Sequence, residues 1–162
     1  LPTPDGLHWN EVWDETFDSK SLSVKYETQL ERSAPFRLAV VRHVGTYARL
    51  WEGWEKVEFI EGKRWVTIYL DNLWTCPHSD LMRSDIGFIL LPGEQPPKGY
   101  SLLEIPAQLT VRTKRFVDRH QRNELWSYLC GVWPNSTISW DEYEEWPLPF
   151  EQVRTKACLG FR

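Results

Sequence analysis

Cysteine is scarce in this chain: Cys76, Cys130 and Cys158 are odd in number and far apart. That excludes a disulfide framework and reads as reduced thiols in a cytoplasmic protein. Methionine is scarcer, with Met82 the only one, and the chain starts at Leu1. The expectation is a processed chain or an excised domain. No apolar run approaches the length of a membrane span, and no charged stretch leads into an apolar one as in a secretory signal; no membrane partner is expected. Basic excess is missing as well, since 19 Lys and Arg against 23 Asp and Glu leave a net charge of −4. Holding a phosphate backbone needs a concentrated basic face, so DNA contact by these residues alone is not expected.

The common catalytic signatures are absent too. There is no G-x-S-x-G, phosphate loop, dinucleotide fingerprint or H-E-x-x-H, and hence no positive case for hydrolysis through a nucleophile. Cys76 and His78 flank Pro77 without a second ligand pair at metal spacing, so no metal and no cofactor are expected. Asn135-Ser136-Thr137 fits the glycosylation pattern but reads as chance without a signal peptide.

Tryptophan is what the chain has in plenty: ten, with six tyrosines and seven phenylalanines. The indole N–H needs a partner wherever it is buried. Aromatic walls beside a few charges hold flat or cationic organic molecules. An aromatic-rich core is the plainer alternative, because large aromatics dominate cores as well. Hydrophobic content of 41% and charged content of 26% suit one globular domain.

Residues 1–22 lack periodicity and read as a linker whose Leu7, Trp9, Trp13 and Phe17 dock on the domain, which spans 23–162. Val24, Tyr26, Thr28 and Leu30 alternate with polar residues as in a half-buried strand. Arg37 to Val44 predicts a second strand. Tyr47, Leu50, Trp51, Trp54 and Val57 follow at helical spacing, with Thr46 as N-cap. Strands are expected over 64–70 and 85–91. After the Pro- and Gly-rich connector 92–99 the order recurs: strands over 101–105 and 108–117, a helix opened by the Asp118/Gln121 capping box, and strands over 138–146 and 150–161. Leu125, Trp126, Leu129 and Cys130 share a face of that helix. Two units of like order, about 23–91 and 100–162, suggest an internal duplication. The fold class is then α+β, a large antiparallel sheet with helices on one side, and a cleft between the units is a natural ligand site.

The segment Trp140-Asp141-Glu142-Tyr143-Glu144-Glu145-Trp146 is acidic and aromatic at once. On a strand Trp140, Glu142, Glu144 and Trp146 share one face and Asp141, Tyr143 and Glu145 the other. A carboxylate among aromatic rings attracts a cation through charge and ring quadrupole together. The alternative is an edge strand whose solvated acids oppose aggregation. Arg83 and Asp85, two apart on a strand, predict a local ion pair. His43 reads as a core histidine.

Four stretches together resemble one family. Val40-Val41-Arg42-His43-Val44-Gly45-Thr46-Tyr47 is similar to the H-x-G-P-Y/W turn of GyrI-like domains, Ile68-Tyr69-Leu70-Asp71-Asn72 to their Y-Y-D-N-P turn, Leu81-Met82-Arg83-Ser84-Asp85 to their L-R-x-D strand entry, and Trp140-Asp141-Glu142-Tyr143 to their F-E-x-Y motif. The match runs over about 24–162. Leu73 replaces the family's proline, and the first helix is shorter than usual. The resemblance implies duplicated β-α-β-β modules of SHS2 type with a central ligand groove, and an acid there that meets cationic drugs in multidrug-sensing members. A strict register makes that acid Asp141; a shift of one residue makes it Glu142. Asp5-Gly6-Leu7-His8-Trp9-Asn10 resembles the linker after the helix-turn-helix region of AraC-type regulators.

The expectation is therefore a regulator's effector-binding domain. Its ligand would be a small aromatic or cationic organic molecule, in a groove of Tyr47, Trp54, Trp65, Tyr69, Trp126, Trp140, Asp141, Glu142 and Tyr143. DNA would be read only through a separate helix-turn-helix region, and a homodimer is a further expectation. A hydrolase of strained electrophilic natural products and a protein-inhibiting module are the alternatives the resemblance carries.

Overall fold

Alternation of period two builds most of the protein. The structure, a computed structural model, describes residues 26–71 and 79–161. The linker 1–22, Val24, Asn72, Leu73, Trp74, Cys76, Pro77 and His78 lie outside the described residues. In chain order come β1 (Thr28–Ser33), β2 (Phe36–Val44), α1 (Leu50–Trp54), β3 (Trp65–Tyr69), β4 (Arg83–Ile89), β5 (Ser101–Ile105), β6 (Gln108–Thr113), β7 (Val117–Asp118), α2 (Arg119–Val132), β8 (Ile138–Tyr143) and β9 (Arg154–Phe161). This is an α+β architecture.

All strand pairings among the described residues are antiparallel, in the order β1-β6-β9-β8-β3-β4-β2-β5, with β7 beside β9. The order reads the same from both ends when β1, β2, β3 and β4 are exchanged with β5, β6, β8 and β9. At its centre β3 pairs β8, placing Thr67 opposite Asp141 and Ile68 opposite Trp140.

Side chains opposite one another in a ladder share a face. Ile86, Thr67, Asp141 and Ala157 therefore form one row, and both helices cover that face. Leu50 and Trp54 of α1 pack with Ala39, Trp65, Ile86 and Phe88. Leu125 and Leu129 of α2 pack with Val111, Ala157 and Leu159. Leu38, Val40, Val66, Ile68, Trp140 and Cys158 line the other face. The sheet curls over it, so Phe36 of β2 reaches Trp140 of β8 at 5.7 Å between ring centroids despite two intervening strands.

Several element boundaries differ from the alternation pattern. The first strand begins at Thr28, and Leu30 is 54% exposed. β1 is an outermost strand, while α2 packs chiefly over β7 and β9. The first helix is a 3-10 turn at Tyr47–Arg49 followed by five α-helical residues, and Thr46 makes no side-chain cap bond. The 108–117 strand splits at Lys114–Phe116 into β6 and β7. β8 stops at Tyr143 and β9 starts at Arg154, and the connection between them carries Pro147, Pro149 and a 3-10 turn at Phe150–Gln152. Asp118 and Gln121 do form the reciprocal capping box of α2.

Candidate functional site

A groove of about 560 Å³ opens between the Tyr47 turn and α2, with β3 and β8 beneath. Period two brings Tyr69 and Ser139, directly opposed in the β3–β8 ladder, to its floor. Period 3.6 brings Arg122, Trp126 and Cys130, each four residues apart, down one side of α2 to its wall. Tyr47, Tyr69 and Trp126 form a ring series. Tyr47 and Tyr69 stand 4.9 Å apart at 60°, and Tyr69 meets Trp126 edge to face at 5.9 Å.

Backbone contacts hold the outer wall. The Tyr47 hydroxyl sits between the carbonyls of Asp71 at 2.8 Å and Arg83 at 3.0 Å, donating to one at a time, and accepts the Asp71 N–H at 3.2 Å. Asp71 takes the Arg83 backbone N–H at 2.7 Å and its guanidinium at 3.0 and 3.1 Å. Those hydrogen bonds from Arg83 hold the Asp71 carboxyl below its ordinary range. The expected local pair of Arg83 with Asp85 is thus replaced. Arg83 serves Asp71, and Asp85 is held by Arg42 at 2.6 Å, directly opposite on β2.

Beneath the floor Asp141 is fully buried. Arg122 binds its Oδ2 through Nη2 at 2.6 Å and Nε at 3.0 Å. The Tyr69 hydroxyl donates to the same Oδ2 and accepts from Arg122 Nη2. Oδ1 has no hydrogen-bond partner among the described residues. Burial disfavours the Arg122 charge, but Asp141, Tyr69 and Tyr143 together more than offset this, and its pKa is raised further. Burial is also the chief cause lifting the Tyr69 phenol well above its usual value. The site base is accordingly one buried carboxylate neutralised by one guanidinium, with a phenol that stays protonated.

The structure separates the expected site residues into three places. Tyr47, Tyr69 and Trp126 line the groove, with Asp141 directly below. Trp54, Trp65 and Tyr143 lie on the same sheet face inside the aromatic core under α1, where Trp54 contacts Tyr143 at 5.3 Å and Trp65 at 6.0 Å. There Tyr143 bonds Thr67 at 2.7 Å, and burial pushes its phenol up to about 12. Trp140 and Glu142 point to the opposite face, where Arg112 binds Glu142 at 2.6 Å. Period two thus divides the two acids, and Asp141 is the one beside the groove.

Arg122 is the site residue that sequence reasoning missed. Its one signal was the four-residue spacing from Trp126, which puts both on one side of α2. His43 is buried, with Nε2 unpartnered among the described residues. No group of three His, Cys, Asp or Glu side chains suited to a metal occurs among the described residues, and no described helix is long and apolar enough to cross a membrane.

No protein-family model and no curated protein sequence matches the chain. Solved structures do. The crystal structure of the EcmrR C-terminal domain superposes with a TM-score of 0.57 at 12% identity, over 83% of this chain and 96% of that domain. EcmrR in its DNA complex, solved by cryo-electron microscopy in EcmrR-RPo, gives 0.58 at 12% identity, over 87% of this chain and 61% of that one. An integron cassette protein from the mobile metagenome of Vibrio cholerae gives 0.51 at 13% identity, over 85% and 97%. This chain therefore has the fold of the EcmrR C-terminal domain, and spans about three fifths of the EcmrR chain in the DNA complex.

Proposed function

We propose that this chain is the effector-binding domain of a transcription regulator, and that it takes a planar aromatic molecule into the groove between the Tyr47 turn and α2. The observation that carries the reading is the open aromatic wall of Tyr47, Tyr69 and Trp126 above a neutralised buried ion pair. Edge and face contacts with such rings favour flat ligands. The fold shared with the C-terminal domain of EcmrR, a protein solved on DNA, supports the regulator half of the reading.

In the same reading the domain is GyrI-like, of the kind joined to AraC-type DNA-binding regions, and arose by duplication. The strand order that reads alike from both ends supports the duplication. DNA is read elsewhere in the regulator, and ligand occupancy biases how the two parts sit, which requires different affinities for two arrangements. Calorimetric titration with planar aromatics tests this. Saturable one-to-one binding that is lost in Trp126→Ala is expected, whereas heat independent of Trp126 would place the ligand elsewhere.

A further inference from the structure

The notable feature of the groove is that its acid is already taken. Asp141 is fully buried, and both groups that bind it, Arg122 and Tyr69, are groove-lining residues. The Arg122 guanidinium also lies 5.8 Å over the Tyr69 ring. It thus makes the two contacts, to carboxylate and to ring face, that an organic cation would seek in an aromatic site beside an acid. Its side chain is only 15% exposed, so it is seated in the wall rather than waving over it.

We propose that Arg122 is the specificity-determining residue of the groove, a built-in cation that makes the site select uncharged planar aromatics over cationic ones. This rests on the effector-binding reading above. The acid that itself lines the groove, Asp71, offers a cation little either, because Arg83 forks onto it. A ligand cation would have to expel Arg122 from Asp141, leaving a guanidinium without its partner, or sit beside it at like-charge cost. An uncharged ring needs neither. Specificity in this form works by repelling the wrong ligand more than by attracting the right one.

The test uses two probes of one shape, methylnaphthalene and N-methylquinolinium, which differ in charge. Their dissociation constants are measured on the full chain, with circular dichroism to confirm folding. Wild type is expected to bind methylnaphthalene more tightly. Arg122→Met frees Asp141 and should move the affinity ratio toward the cation by about tenfold or more. Asp141→Asn leaves Arg122 uncompensated and should move the ratio the other way, a pair of opposite shifts that a merely structural role would not produce. Should Arg122→Met fail to fold, Asp141→Asn carries the question alone.

A wild-type preference for N-methylquinolinium would overturn the proposal, as would an unchanged ratio in the folded variants while methylnaphthalene still binds; neither touches the effector-binding reading. If the folded wild type binds neither probe, that reading falls and this proposal with it.

Discussion

Tyr69 and Trp126 meet edge to face at 5.9 Å across the join between the central strand pair and α2. The contact ties the groove floor to its wall, yet Trp126 packs only at the border of the α2 core. Replacing Trp126 with Ala should therefore cost about 1 kcal/mol of stability, the size of an aromatic pair, while lowering aromatic-ligand affinity by about tenfold or more. Denaturant unfolding beside calorimetry separates the two effects.

Trp54 is in the contrasting position. It is fully buried and touches Trp65, Tyr143 and Trp146 edge to face. Trp54→Ala should lose about 3–5 kcal/mol, the range of large core truncations. Denaturant midpoints measure it.

Gly87 lies in β4 opposite Val40 of its ladder partner β2, and a Cβ there would fall 1.8 Å from the Ala39 carbonyl oxygen. Backbone cannot yield as a side-chain tip can. Gly87→Ala should destabilise by about 3 kcal/mol or more, seen as a lower melting temperature or failure to fold.

Hydrogen bonds from Arg83 depress the Asp71 carboxyl. A group whose pKa is lower folded than unfolded stabilises the fold above its unfolded value, and that contribution fades as pH falls through the folded one. Solvent reaches the pair, so the effect is modest. Asp71→Asn should flatten the acid limb of a stability-against-pH curve and leave neutral behaviour nearly parallel to wild type.

Cys130 lines the groove, and burial pushes its thiol up to about 11. The thiolate is the reactive form. Alkylation at Cys130, followed by peptide mass spectrometry, should be slow at neutral pH, should rise throughout the alkaline range, and should slow when methylnaphthalene fills the groove.

The order of elements was legible because alternation and the Asp118 capping box are local signals. Tyr69 and Trp126 were legible as candidates through residue type and spacing. What escaped depends on distant partners. Leu30 alternates correctly but lies on an outermost strand, where alternation does not guarantee cover. Trp54 and Trp65 have the chemistry of pocket walls, and only packing assigns them to the core. Asp141 and Glu142 could not be told apart until the β3–β8 register set their faces. The Arg122–Asp141 pair joins a helix to a strand across nineteen residues, a separation at which no spacing rule applies.

The most direct measurement is a titration with methylnaphthalene followed through the indole N–H resonances of the tryptophans. The account predicts that the Trp126 signal moves saturably while Trp140, on the opposite sheet face, stays in place. A stationary Trp126 signal under saturating ligand, or a shift confined to Trp140, would contradict it.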